Sequence, residues 1–145
     1  HEREMIGGFG LTDAGSETLG QIAAKSLAVE DGRISNQLLR ADILKWEIDG
    51  AAFAMTAERV TDEVKSGHGV GATSAMLKYY GTELNKRRFE LMMKIDGSDA
   101  MIWDGANSNG GWTPRTWLRT KGNSIEGGTS EVQLNIIAKN ILGLG

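Results

Sequence analysis

The stretch Ile34–Val64, ISNQLLRADILKWEIDGAAFAMTAERVTDEV, decides the fold. Within it Leu39, Ile43, Trp46, Gly50, Phe53, Ala57, Val60 and Val64 follow one another in steps of four and three. An α-helix turns once every 3.6 residues, so this spacing aligns them on one face of a helix of roughly eight turns. Arg40, Asp42, Lys45, Glu47, Glu58, Arg59, Asp62 and Glu63 fall between them, as a solvent-facing side requires. Gly50 on the apolar stripe costs roughly 1 kcal/mol of helix propensity against alanine. A close approach by a neighbouring helix is the expected compensation.

Downstream, Gly67-His68-Gly69-Val70-Gly71 breaks the helix, and a second long one is expected from about Ala72 to Ile95. Its stripe is Met76, Tyr80, Leu84, Leu91 and Ile95, interrupted by Arg87. The stretch from Asp96 to Pro114, rich in Gly, Asn, Asp and Ser, reads as a long loop pinned by the buried rings of Trp103 and Trp112. A short helix over Arg115–Arg119 follows. The last helix is expected to start near Thr129 or Ser130 and to end at Ile141 with Gly143 as its stop. Ser130 and Gln133 have capping-box spacing, and Val132, Ile136, Ile137 and Ile141 are its expected buried positions.

Upstream, Glu2 to Ile6 reads as the end of a helix halted by Gly7-Gly8. Thr18 to Val29 reads as another, with Leu19, Ile22, Ala23 and Leu27 inward. No convincing strand pattern, repeat or low-complexity segment is present. The fold class expected is all-α, an antiparallel up-down four-helix bundle forming one domain over residues 1–145.

Composition narrows the function. A chain of 145 residues that is 40 % hydrophobic and 24 % charged has the mixture of a globular domain with its own core, which argues against disorder. A net charge of -3 supplies no broad positive field for nucleic acid or an anionic membrane. The basic run Lys86-Arg87-Arg88, flanked by Glu83 and Glu90, reads as a solvated helix face. With no cysteine, disulfides, thiolate nucleophiles and cysteine metal sites are excluded, and His1 and His68 lack metal-ligand spacing. No apolar run reaches the roughly 20 residues of a membrane span and no signal peptide is visible, so a soluble cytoplasmic protein is expected. The first residue is His1 rather than methionine, which fits a piece of a longer chain.

Chemistry concentrates in Arg119-Thr-Lys-Gly-Asn-Ser-Ile-Glu-Gly-Gly-Thr-Ser-Glu-Val-Gln133, which leads straight into the last helix. Gly127-Gly128 lets the backbone pass close to a bulky partner. Thr129 and Ser130 then open a helix whose free N–H groups and positive dipole end suit a phosphate, a carboxylate or an electron-rich ring edge. The same residues also make a plain tight turn with a capping residue, and the pattern alone does not separate the two.

Ser124-Ile-Glu-Gly-Gly-Thr-Ser-Glu-Val-Gln133, followed by Asn135-Ile-Ile-Ala-Lys-Asn-Ile-Leu-Gly143 and preceded by Arg119, resembles the closing signature of acyl-CoA dehydrogenases. Glu2-Arg3 with Ile6-Gly-Gly8 resembles the first helix of that family's C-terminal domain. Ser74-Ala-Met-Leu-Lys78 and Glu83 to Leu91 resemble its third. The resemblance covers nearly the whole chain. It implies the C-terminal helical domain of a larger polypeptide whose N-terminal helical and middle β-barrel domains are absent here, with FAD between barrel and helices. It further implies a homo- or hetero-oligomer, an acyl-CoA substrate and an electron-acceptor flavoprotein. A glutamate would remove the α-proton of the thioester while hydride leaves the β-carbon, a step that needs a positioned carboxylate in a dry pocket.

Two departures from the family pattern matter. Many members carry the base immediately before the Gly-Thr of the terminal motif, where this chain has Gly127, and Glu126 stands one residue early. Other members place it in the first helix just before an arginine, which Glu2-Arg3 matches, so Glu2 is the favoured base and Glu126 the weaker candidate. The family's Arg-x-x-Phe-Gly segment has no counterpart between Leu11 and Gly32. The segment after the third helix reads Met93-Lys-Ile-Asp-Gly97, keeping only Gly97. Thr129 and Glu131, with Gly127, Gly128 and Gly97, are the expected flavin contacts. A non-catalytic assembly module, an acyl-CoA oxidase and a flavin monooxygenase on the same scaffold are the alternative functions.

Overall fold

The computed structural model describes residues 17–106 and 108–145. The expected helix over Glu2–Ile6, and Glu2 itself, lie outside the described residues. Among those described there are five α-helices: α1 (Leu19–Ser26), α2 (Gln37–Lys65), α3 (Thr73–Asp96), α4 (Trp112–Gly122) and α5 (Ser130–Asn140). The all-α class holds. None of these helices is long and apolar enough to cross a membrane.

α2 realises its pattern. Leu39, Ile43, Trp46, Gly50, Phe53, Ala57 and Val60 are buried, and only Val64, on the last turn, is exposed. Asn36 caps its start by accepting from the Leu39 N–H at 3.0 Å. Gly50 does not admit a close neighbour: no atom lies within 4 Å of where a Cβ would stand. The expectation of a helix approach there is therefore corrected.

α3 runs antiparallel to α2 and is fastened to it at three levels. The Trp46 indole N–H donates to the Leu84 carbonyl at 2.8 Å, Arg87 pairs with Asp49 at 2.8 Å, and Lys94 pairs with Asp42 at 3.1 Å. α1, α2, α4 and α5 all pack against α3. Its expected stripe is right at Leu84, Leu91 and Ile95, but Met76 is half-buried and Tyr80 exposed, while Ala75, Leu77, Lys78, Gly81, Thr82, Phe89 and Met92 are buried too. A helix covered from several directions has no single apolar face, so one period could not describe it.

The basic run on α3 is no solvated face. Lys86 bonds Glu83 and Ser124, Arg87 holds Asp49, and the half-buried Arg88 guanidinium lies 5.9 Å from the Phe89 ring centre. Burial lowers the Arg88 pKa.

α1 is capped by Thr18, whose hydroxyl accepts from the Gln21 N–H while the Gln21 side chain accepts from the Thr18 N–H. Leu19 and Ala23 are buried, with Ile22 and Leu27 packed against the core. Between α1 and α2 a two-rung antiparallel ribbon, β1 (Val29–Glu30) and β2 (Arg33–Ile34), turns through Asp31-Gly32. Both turn residues have positive φ, 48° and 72°, the conformation an Asp-Gly hairpin favours. The absence of strands expected from sequence is corrected at this one place. An alternating pattern cannot show in two residues, although the Asp-Gly pair was itself a signal.

The loop after α3 holds two short 3-10 turns, Gly97–Met101 and Asn109–Gly111. Its tryptophans are not buried as expected. Trp103 is 41 % exposed beneath the Arg115 guanidinium, 4.1 Å from the ring centre, and Trp112 is 48 % exposed, edge-on to Phe89 at 5.5 Å. Each ring covers a neighbour with one side and meets solvent with the other. α4 is longer than the expected helix, starting at Trp112.

Candidate functional site

The segment between α4 and α5 turns through Asn123–Thr129 and lies along α3. Gly127 (φ 64°) and Gly128 (φ 94°) both adopt the left-handed region that a side chain disfavours. A Cβ on Gly128 would stand 2.6 Å from Gln133 Nε2, in the path of the bond that Gln133 donates to the Gly127 carbonyl at 2.9 Å. The glycine pair is therefore required by the turn itself.

α5 starts at Ser130, within the expected bounds. Thr129, not Ser130, is the N-cap, its hydroxyl accepting from the Val132 N–H at 3.3 Å. The Ser130–Gln133 capping box is not formed, because Gln133 turns back to Gly127 and Ser130 Oγ is buried without a partner. This phase buries Gln133 and exposes Val132 and Ile141, with Ile136 and Ile137 half-buried, which corrects the expected apolar face of the helix.

The helix start is also less open to an anion than the motif promised. The Ser130 N–H donates to the Ser124 carbonyl at 3.0 Å, and the Val132 N–H is taken by Thr129. The Glu131 carboxyl is held below the usual glutamate range by its own backbone N–H and by the Thr129 hydroxyl. A carboxylate thus already occupies the positive end of α5. The open donors lie just before it. Among the described residues no acceptor faces the N–H groups of Gly127, Gly128 or Thr129. A Cβ on Gly127 would meet only Lys78 Cε, at 3.9 Å.

Glu126 points along the exposed side of the turn. Arg119 grips both of its oxygens, at 3.3 and 2.9 Å, and the Asn123 amide donates to one of them. The Arg119 bond, then the Asn123 bond, hold its carboxyl below the usual glutamate range. A base that must take a weakly acidic proton works best with a raised pKa, the opposite setting. The ion pair is fully formed above the ordinary glutamate pKa and is lost as pH falls through the depressed value. In an NMR pH titration the Glu126 carboxyl is therefore expected to titrate below ordinary glutamates, and Arg119→Gln to raise its midpoint. An ordinary midpoint in the unmodified protein would mean that the pair does not form in solution.

Of the residues singled out from sequence, Glu126, Gly127, Gly128, Thr129 and Glu131 come together in this turn. Gly97 does not join them. It caps the far end of α3 (φ 57°), roughly 28 Å along the helix axis from Lys78 at 1.5 Å per residue.

Sequence reading missed the residues that hold the turn down. Lys78, Thr82, Asn85 and Lys86 lie at i, i+4, i+7 and i+8 on α3, one helix face. Lys78 is buried along its stem, and its ammonium donates to the carbonyls of Asn123 at 3.0 Å and Gly128 at 2.7 Å. Burial lowers its pKa, against the raising influence of Glu126 and Glu83. Thr82 Oγ1 lies 3.5 Å from the Asn123 carbonyl, Asn85 donates to the Asn123 side chain at 3.1 Å, and Lys86 donates to Ser124 Oγ at 2.8 Å. The only local signal was polar spacing on a helix, and the partners stand about forty residues away.

Fold and site together define a mainly helical domain that presents a glycine turn, with open backbone donors, at the start of its last helix. Residues 1–142 match the family model described as acyl-CoA dehydrogenase, C-terminal domain, and the chain belongs to that family. The family is one of oxidoreductases of fatty-acid metabolism. No match was found among the curated proteins.

Proposed function

We propose that this chain is the C-terminal helical domain of a longer, FAD-dependent acyl-CoA dehydrogenase that introduces an α,β double bond into an acyl-CoA thioester. The observation that carries the reading is the Asn123–Thr129 turn of the family's closing motif, tied to α3 by Lys78 and left with three backbone N–H groups that no acceptor faces among the described residues. Those donors fit a flavin better through the carbonyl-bearing edge of its ring than through its pyrophosphate, because the Glu131 carboxylate opposes further negative charge at the helix start. Bound FAD supplies the acceptor for hydride leaving the β-carbon of the substrate.

In this reading Gly127, Gly128 and Thr129 orient the cofactor through their backbone, and Glu2 takes the α-proton. Glu126 serves the turn instead, since Arg119 and Asn123 occupy its carboxylate. N-terminal helical and β-barrel domains complete the pocket, oligomer contacts close it, and an electron-acceptor flavoprotein reoxidises the enzyme in the cytoplasm.

The test is a visible absorption spectrum of the intact protein, before and after a panel of acyl-CoA thioesters is added. A yellow protein bleached by one of them supports the reading and names the substrate class. A colourless protein, indifferent to all, overturns it for this subunit. A second reading, a non-catalytic assembly subunit of a heteromeric dehydrogenase, is favoured by one observation: the terminal-motif position that carries the base in many relatives is Gly127.

A further inference from the structure

We propose that Lys78 is the positioning residue of the flavin-facing turn, an internal ammonium clamp that joins the two ends of the Asn123–Gly128 loop and sets the direction of its open N–H groups. This deepens the functional reading above and rests on it for the nature of the ligand, though not for the clamp itself.

Lys78 is 6 % exposed, unusual burial for a lysine, and it sits on the helix at the centre of the domain. Its two acceptors are backbone carbonyls at opposite ends of one short loop. A cation is well suited to that task. It draws two carbonyl dipoles towards one point through charge-assisted hydrogen bonds, which are stronger than neutral ones. The Gly128 carbonyl belongs to the peptide whose N–H is that of Thr129. Fixing the carbonyl inward fixes that N–H outward, since the two point in opposite directions across a planar trans peptide. Gln133 does the same for the preceding peptide by taking the Gly127 carbonyl, so the Gly128 N–H is turned outward as well. Two of the three open donors are thus aimed by bonds made on the far side of their own peptides. Gly127, without a side chain, brings the loop to within 3.9 Å of Lys78 Cε at the position of a Cβ.

Asn85 and Lys86 hold Asn123 and Ser124 from the same face of α3, so the loop remains docked at that end when Lys78 is changed. Lys78 acts through the turn and touches no reacting atom.

The experiment compares the intact wild-type protein with Lys78→Met, which keeps the apolar stem, and Lys78→Arg, which keeps the charge. Two quantities are read: flavin affinity, by titrating the stripped protein and following flavin fluorescence, and amide hydrogen exchange resolved by segment. The proposal expects Lys78→Met to weaken flavin binding at least tenfold and to speed exchange over 123–130 at least tenfold, with exchange across α2 unchanged. Lys78→Arg should recover much of both. Unchanged flavin affinity with a loosened loop, or exchange rising equally in α2, would make Lys78 an ordinary packing residue and overturn the proposal. A wild-type protein that takes up no flavin overturns the functional reading, and the clamp is then decided by exchange alone. A loop no faster in Lys78→Met than in wild type refutes it.

Discussion

Trp46→Ala is expected to lower unfolding free energy by about 3–5 kcal/mol, the range for removing a large buried aromatic side chain. Trp46 is 5 % exposed at the middle of α2 and faces α3. Its loss removes the indole's apolar contacts and the bond to the Leu84 carbonyl together. The two contributions separate in Trp46→Phe, which keeps most of the apolar surface and loses the donor. The Leu84 carbonyl lies inside α3, where the helix ladder already supplies a donor four residues on, so it is not left bare. The cost of the phenylalanine should therefore approach a net hydrogen bond plus a small cavity, about 1–2 kcal/mol. Urea unfolding monitored by far-ultraviolet circular dichroism reads both. A Trp46→Ala midpoint equal to wild type would mean that α2 and α3 do not pack through this residue.

Glu2→Gln in the intact protein is expected to lower kcat by about 10²–10⁴-fold, the usual contribution of a positioned general base, while substrate KM changes little. The position is favoured on both sides of the argument. Glu2-Arg3 resembles the placement of the base in the first helix of relatives, and the other candidates are poorly suited. Gly127 has no side chain, and Glu126 is gripped by Arg119 through both oxygens with its carboxyl driven towards stronger acidity. Glu126→Gln is accordingly expected to leave kcat within about threefold of wild type, an effect of well under 1 kcal/mol. Stopped-flow bleaching of the flavin by the thioester separates the chemical step from product release. Equal rates for wild type and Glu2→Gln would remove Glu2 from the reaction and favour the assembly reading.

How far the sequence reached can be judged helix by helix. α2 was legible to within three residues at its start and one at its end, because only one of its faces is buried and its period is undisturbed. The limits of α3 were legible too, from the glycine-rich break before it and the loop after it. The family was legible in the stretch after Arg119, since short-range order of residues is what such a signature consists of. The lining of α3 was not, because neighbours on several sides leave no single phase to detect. Nor was the phase of α5. Thr129 and Ser130 are both good caps by type, and only the backbone turn at Gly128, with the return of Gln133 to Gly127, selected the first.

The sequence by itself thus determined the helices, their order and the motif that identifies the family. The tertiary structure alone decided that the motif's glutamate is tied to Arg119, that its helix start is filled by its own groups, and that Lys78 stands behind the turn. The reason is physical. Periodicity and capping arise from neighbours within a turn or two of the chain. The bonds from Lys78 join atoms 45 and 50 residues apart, and no local pattern records them.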